Sequence, residues 1–379
     1  MRERVGIYVH IPFCLSKCAY CAFASWPCLR PPSLYPAAIL AQARQMAALP
    51  WSRDRVFSTL FIGGGTPTIY PAATLKPLLS GLREIFNFVP APEITIESNP
   101  NTLSLDLLQS LRQAGVNRLS IGIQSFNDDL LKGVGRSHTR QEALQALAWA
   151  GKAEFTNVNI DLIYGLPGQS MQSFAADLTL ALEFAPAHLA LYQLTLEEGT
   201  VLARAMADQQ LHLPEEDQVI EMELAAQATL GRAGYEHYEV ANFCRPGRQC
   251  RHNLNYWQNG SYLGLGAAAV SCLSGLRISN VASPGRYQRQ LNSGQAPYAE
   301  VEALGRAASF RETVIMGLRR CQGVKIAELK QRFALTPQGY YQEILDELVV
   351  DGLLLIDQER MALSQRGLAL ANQVLHRLV

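Results

Sequence analysis

The sequence carries no excess of either charge: 33 lysines and arginines are balanced by 33 aspartates and glutamates. Without a global basic field, nothing recruits nucleic acid or an anionic membrane over the whole surface, and no nucleic-acid partner is expected. No stretch supplies the roughly eighteen consecutive apolar residues of a spanning helix, which leaves peripheral contact as the form any membrane association would take. The start, Met1-Arg2-Glu3-Arg4-Val5-Gly6, lacks the apolar region and small-residue cleavage site of a signal peptide. Cysteine is scarce as well, and eight in 379 residues are too few for a disulfide-stapled scaffold. A reducing, cytoplasmic setting fits these absences. The 48% hydrophobic content is ample for a large buried core plus a smaller one.

Three of the eight cysteines are concentrated in Cys14-Leu15-Ser16-Lys17-Cys18-Ala19-Tyr20-Cys21, directly after the strand-like run Ile7-Tyr8-Val9-His10-Ile11. Thiolates at this spacing converge on one soft metal centre, either an iron-sulfur cluster or zinc. Three ligands leave one iron of a cubane open, whereas structural zinc needs a fourth ligand, for which His10 and Cys28 are the nearby choices. The bland alternative, three cysteines on one face of a core helix, conflicts with Pro12 and the preceding strand.

From residue 1 to about 200, apolar strand-like runs alternate with amphipathic stretches. Strands are predicted at 5–11, 58–62, 93–97, 117–123, 156–163 and 188–194, an order that implies parallel strands with helical crossovers. Six units are too few for a closed eight-unit barrel. Polar residues stand out at the carboxyl ends of these strands. They are the triplet in Gly63-Gly64-Gly65-Thr66-Pro67, Glu97 in Thr95-Ile96-Glu97-Ser98, Gln124 in Ile123-Gln124-Ser125, Arg136 in Gly135-Arg136-Ser137, and Asp161 in Asn159-Ile160-Asp161. Taken singly, a glycine triplet is a strand-to-helix turn, and each polar residue is a cap or a surface group. Taken together they form a ligand-binding rim.

These motifs resemble the radical S-adenosylmethionine (SAM) family, in which a [4Fe-4S] cluster on three cysteines reductively cleaves SAM bound to its open iron. The resemblance implies an open, partial parallel β/α barrel, with Cys14, Cys18 and Cys21 as cluster ligands. By motif match it places Tyr8, Tyr20, Gly64, Gly65, Thr66, Glu97, Gln124, Arg136 and Asp161 against one or two SAM molecules. With Tyr8-Val9-His10-Ile11-Pro12-Phe13-Cys14, the likeness narrows to the branch that holds oxygen-independent coproporphyrinogen III oxidases (HemN) and haem chaperones (HemW). Two departures favour the chaperone side. Phe23 stands where the oxidases carry a further cysteine, and only thirteen residues precede Cys14, whereas the oxidases have a longer extension.

Cys250-Arg251-His252-Asn253-Leu254-Asn255-Tyr256-Trp257 resembles the His-Asn-x-x-Tyr-Trp segment of HemW-like proteins. It makes His252 a candidate haem-iron ligand, with Tyr256 and Trp257 as apolar contacts for a porphyrin. The alternative is a histidine hydrogen-bonded in an interface. No Cys-x-x-Cys-His run supports covalent haem attachment; Cys244 and Cys250 are expected as ordinary loop thiols, and Cys272 and Cys321 as core residues. From about 305, helices at 326–333 and 338–350, a hairpin through 353–363 and a last amphipathic helix give a winged-helix-like α+β order. The interval 336–350 is acidic, which suits a lid or partner-docking role better than DNA binding.

The expected organisation is therefore a barrel with its cluster loop over 1–200, an extension over 201–304 and a winged-helix-like unit over 305–379. The expected function is haem binding and delivery to haem-requiring acceptors such as respiratory enzymes. The cofactors are a [4Fe-4S] cluster and SAM, served by an electron donor. The alternatives are oxidative decarboxylation of coproporphyrinogen III and a radical SAM reaction on an unrelated substrate.

Overall fold

The computed structural model describes residues 4–208 and 211–379; Met1–Glu3, part of the lead-in discussed above, and Gln209–Gln210 lie outside the described residues. Six parallel strands follow one another in space as in sequence: β1 (Arg4–Ile11), β2 (Val56–Gly64), β3 (Phe88–Ser98), β4 (Arg118–Gln124), β5 (Val158–Tyr164) and β6 (His188–Gln193). All six predicted strands are present; the first three start one to five residues earlier than predicted, the fourth and fifth one to two residues later. Helices fill the crossovers, among them Tyr35–Ala48, Ala72–Ile85, Leu105–Gln113, Arg140–Lys152 and Met171–Glu183.

The sheet continues beyond these six. Glu236–Glu239 (β7) and Asn242–Cys244 (β8) extend the β6 edge antiparallel, while Tyr262–Leu265 (β9) pairs in parallel with β1. Val270–Leu273 (β10), Leu276–Asn280 (β11) and Tyr298–Ala303 (β12) then run antiparallel outward from β9, giving twelve strands in all. The outcome is an open parallel β/α barrel with antiparallel flanks.

Strand alternation explains what lies inside it, because successive side chains point to opposite faces of a sheet. On β1, Val5, Ile7, Val9 and Ile11 are fully buried in the core that includes the helices, as are Leu60 and Ile62 on β2 and Leu119, Ile121 and Ile123 on β4. The alternate residues form the inner face: Tyr8 opposite Phe61, Thr59 opposite Glu93, Ser120 opposite Glu97 and Asn159, and Gly122 opposite Asp161. Apolar packing thus builds the outer layer, and polar residues line the lumen.

The C-terminal region has its own core around Phe310, Leu318, Leu329, Phe333, Leu345, Leu354, Met361 and Val374. Its three-stranded sheet joins Val324–Lys325 (β13), Leu354–Ile356 (β14) and Arg360–Leu363 (β15), with β15 in the middle. The helix Ile326–Phe333 falls where predicted. The single helix expected over 338–350 is instead two, Pro337–Tyr341 and Glu343–Val350, broken at Gln342, whose φ is 46°. Tyr340 and Tyr341, at the end of the first piece, both contact the Phe310 ring. Among the described residues no helix is long and apolar enough to cross a membrane.

Candidate functional site

The carboxyl ends of the parallel strands open into a cavity of about 510 Å³, a size suited to a small organic cofactor. Cys14, Cys18 and Cys21 line it, together with Tyr8, Tyr20, Gly64, Gly65, Thr66, Glu97, Gln124, Arg136, Asp161 and His252. The structure brings the three cysteines, His252 and every residue placed by motif against SAM into one place. Sequence reasoning missed Ser98, Asn99, Arg118, Ser120, Asn159 and Tyr192, which line the same cavity. The signal was there: polar residues at every second position of apolar strands face a lumen.

The cysteine loop is held at both ends. Phe13–Cys14 pairs with Trp26–Pro27, the Cys28 amide donates to the Cys14 carbonyl at 2.7 Å, and the Ala19 amide donates to the Val134 carbonyl at 3.0 Å. Glycine is required beneath the loop. Gly64 has a φ of 107°, and a Cβ on Gly65 would lie 2.6 Å from the Phe13 carbonyl oxygen. The Gly65 and Thr66 amides donate instead to the Ile11 and Phe13 carbonyls, both at 2.8 Å. The triplet thus lets the second strand-end turn press against the cysteine loop.

Donors converge on the thiols: Thr66 Oγ1 lies 3.5 Å from Cys14 Sγ, and Arg136 Nη1 lies 3.5 Å from Cys18 Sγ. Among the described residues no fourth cysteine lines the cavity, and no three Cys, His, Asp or Glu side chains close on a position for a single ion. The fourth ligands considered for zinc are engaged elsewhere. His10 Nδ1 bonds the Tyr8 hydroxyl and its Nε2 the Ala24 carbonyl, both at 2.8 Å, while the Cys28 thiol faces the Arg30 carbonyl. A set of three soft donors with N–H and O–H groups aimed at their sulfurs suits a cubane with one open iron.

The opposite wall is acidic. Burial pushes the Glu97 carboxyl up to about 7, with the neighbouring Asp161 adding to the rise, although the Gly64 amide donates to it at 3.0 Å. Burial likewise pushes Asp161 up to about 6 against the pull of Asn159, Arg118 and Ser120. Between β4 and β5 the register shifts from Gly122 to Gln124, a bulge that leaves Gln124 with a φ of 69° at the cavity wall. Its Oε1 and the Arg136 Nε are buried without a partner among the described residues. Such atoms suit a polar ligand that supplies the missing bonds.

His252 lies deeper, on the helix Arg251–Trp257, whose first amides donate to Glu93 at 3.1 and 3.0 Å. Its ring is 1% exposed and stacks on Phe61; Nδ1 bonds the Thr59 hydroxyl at 2.8 Å and Nε2 the Tyr256 hydroxyl at 3.2 Å. Burial, reinforced by Arg118, lowers its pKa to about 3, so the imidazole is neutral. Iron at Nε2 would have to displace the tyrosine hydroxyl. Tyr256 lines the cavity, but Trp257 does not and instead lies beneath the Arg319 guanidinium. The remaining cysteines also need correction. Cys244 and Cys250 are fully buried, in β8 and at the start of the His252 helix rather than in a loop, whereas Cys321 is only half-buried. Of the two expected core thiols, Cys272 alone is buried.

Comparison with known proteins agrees with this architecture. The radical SAM superfamily matches residues 8–181, and the HemN C-terminal domain matches residues 306–370. The heme chaperone HemW of Lactococcus lactis subsp. lactis is 34% identical, with 98% of this chain and 96% of the relative covered. The heme chaperone HemW of Escherichia coli K12 is 35% identical over 90% of this chain and 93% of its own. Among solved structures, the coproporphyrinogen III oxidase HemN of Escherichia coli, a radical SAM enzyme, superposes with a TM-score of 0.85 at 28% identity. The match covers 100% of this chain and 90% of that one.

Proposed function

The chain belongs to the heme chaperone HemW family of the radical SAM superfamily, and from that premise we propose that it binds haem and hands it to haem-requiring acceptor proteins. The observation that carries this reading beyond the family name is the cysteine loop. It presents three thiols to the cavity, and Phe23 lines the cavity at the position where the oxidase branch is expected to carry a further cysteine. Cys14, Cys18 and Cys21 would hold a [4Fe-4S] cluster, which with SAM supplies one-electron chemistry when both are bound. Tyr20, Arg136 and the strand-end groups of Gly64, Gly65, Thr66, Glu97, Gln124 and Asp161 would orient SAM and keep water from it.

The test is haem titration of the anaerobically reconstituted protein, with a coproporphyrinogen conversion assay on the same sample. Stoichiometric haem binding without conversion is expected; conversion to protoporphyrinogen without stable haem binding would sink the chaperone reading. In this reading His252 Nε2 ligates the iron while Thr59 holds Nδ1, so His252→Ala should shift the haem absorption spectrum and weaken binding with the cluster intact. An unaltered spectrum would leave His252 a purely structural residue.

SAM affinity should also depend on pH. A carboxylate accepts hydrogen bonds from a ribose diol best when ionised, and Glu97 begins at about 7 and Asp161 at about 6, so SAM binding releases protons below those values. Between pH 8 and pH 6 the Kd should rise, by up to about tenfold per unit for each proton released. The methionyl amine of SAM titrates near the same range, with an α-amino pKa of about 8. Calorimetry of Glu97→Gln beside the unsubstituted protein isolates the carboxyl: the variant should show the shallower profile, and identical profiles would remove Glu97 from the binding step.

A further inference from the structure

The donors aimed at two of the cysteine sulfurs belong to one continuous chain of hydrogen bonds. Arg136 Nη1 faces Cys18 Sγ at 3.5 Å, Arg136 Nη2 donates to Asn99 Oδ1 at 2.8 Å, Asn99 Nδ2 donates to Thr66 Oγ1 at 2.9 Å, and Thr66 Oγ1 faces Cys14 Sγ at 3.5 Å. Its direction follows from chemistry alone. A guanidinium only donates, so the Asn99 atom facing Arg136 must be the oxygen. The NH2 then faces Thr66 and donates to it, which leaves the single Thr66 proton for Cys14. Asn99 is thus the one member of the chain bonded to both flanking donors.

Its own placement is rigid. Asn99 follows the last residue of β3 and precedes Pro100, and its carbonyl accepts from the Thr102 amide at 3.0 Å and the Thr102 hydroxyl at 2.8 Å. Gly122 gives the amide room, since a Cβ there would lie 3.2 Å from Asn99 Oδ1 and 3.4 Å from Arg136 Nη2. Arg136 is tied down further by the Gly122 carbonyl, and Thr66 is 1% exposed.

We propose that Asn99 is a positioning residue that turns Thr66 and Arg136 onto the sulfurs of Cys14 and Cys18, and so sets the reduction potential of the cluster those cysteines hold. The inference rests on the cluster assignment made above. Adding one electron to a [4Fe-4S]2+ cluster to give the 1+ state raises the electron density on its sulfurs, and hydrogen bonds to sulfur stabilise that reduced state. Misdirecting both donors should therefore make the potential more negative.

The experiment is an EPR-monitored redox titration of the anaerobically reconstituted full chain, with dithionite as the electron source and iron and sulfide measured on every sample. At fixed poise, Asn99→Ala is expected to lower the ratio of reduced to oxidised cluster by about tenfold, which for a one-electron couple is about 59 mV. Thr66→Val should shift the potential in the same direction and Thr66→Ser should not, because serine keeps the hydroxyl. The double variant Asn99→Ala/Thr66→Val should shift it by less than the sum, since Asn99 acts in part through Thr66.

An unchanged potential in Asn99→Ala at full cluster content would overturn the proposal, as would strict additivity. Should Asn99→Ala fail to hold a cluster, the Thr66 pair decides: equal shifts for valine and serine would overturn it. If the unsubstituted chain takes up no cluster, it is the cluster assignment that fails, and this reads out before any variant is compared.

Discussion

Cys18→Ala is expected to abolish the cluster: after anaerobic reconstitution, iron and sulfide should fall to background and the visible charge-transfer absorbance should vanish. Cys18 sits at the centre of the loop. Its carbonyl accepts the Cys21 amide at 3.1 Å, so the two thiols share one turn, and the Arg136 guanidinium faces its sulfur. With alanine there, Cys14 and Cys21 would leave two irons of a cubane without protein ligands, and no fourth cysteine in the described cavity wall can substitute. Cys28→Ser is the matching control, because the Cys28 thiol faces the Arg30 carbonyl and does not line the cavity. It should retain full iron content. Full retention in Cys18→Ala, or loss in Cys28→Ser, would each rewrite the ligand set; near-native circular dichroism in both variants would show that the fold is not what changed.

The strands of the barrel were legible because each buries one face in the helical layer, and that face alone makes a period-two apolar signal, as Val5, Ile7, Val9 and Ile11 show. The flanking strands were not. Tyr298–Ala303, at the rim of the sheet, is half-buried at Tyr298 and exposed from there on, so no alternation marks it. The cysteine loop and the residues at the strand ends were legible as motifs because they follow or close a strand, whereas Arg136, beyond the helix Asp128–Gly133, was legible only by its motif. The relationships that give the site its chemistry were not, because they join distant parts of the chain. Thr59 and His252 are 193 positions apart, Cys250 and Glu93 157, and Arg136 and Cys18 118. Likewise nothing local in Tyr256-Trp257 says that one ring faces the cavity and its neighbour an arginine. Spacing nominated the three cysteines, and only the fold supplies their partners.

Arg118 is the clearest residue of this second kind, and Arg118→Leu is expected to cost about 3 kcal/mol or more of stability at pH 8, the scale for leaving buried charges without their partner. Its side chain projects into the lumen from the first position of β4 and is 2% exposed. Burial alone would lower its pKa, but neighbouring acidic groups, Glu93 and Asp161 among them, more than offset that and hold it charged. In return it pulls down the carboxyls of Glu97 and Asp161 and disfavours protonation of His252 and His188. A leucine would leave Glu93, whose carboxylate binds the first amides of the His252 helix, and the two cavity carboxyls without their shared cation.

The sign of the pH dependence follows. Glu97 and Asp161 stand at about 7 and about 6 with the arginine present, both above their ordinary values, and would rise further without it. At pH 5.5 both are then protonated in the folded variant and need no countercharge, so the penalty shrinks; at pH 8 folding must either bury the unpaired charges or take up protons. Denaturant unfolding of Arg118→Leu and of the unsubstituted protein at pH 5.5 and pH 8 therefore separates two explanations. A penalty that grows with pH identifies lost charge balance, with Arg118→Lys recovering part of it. A penalty equal at both pH values would mean that Arg118 acts by packing alone, and that the acidic wall of the cavity keeps its protons by some other means.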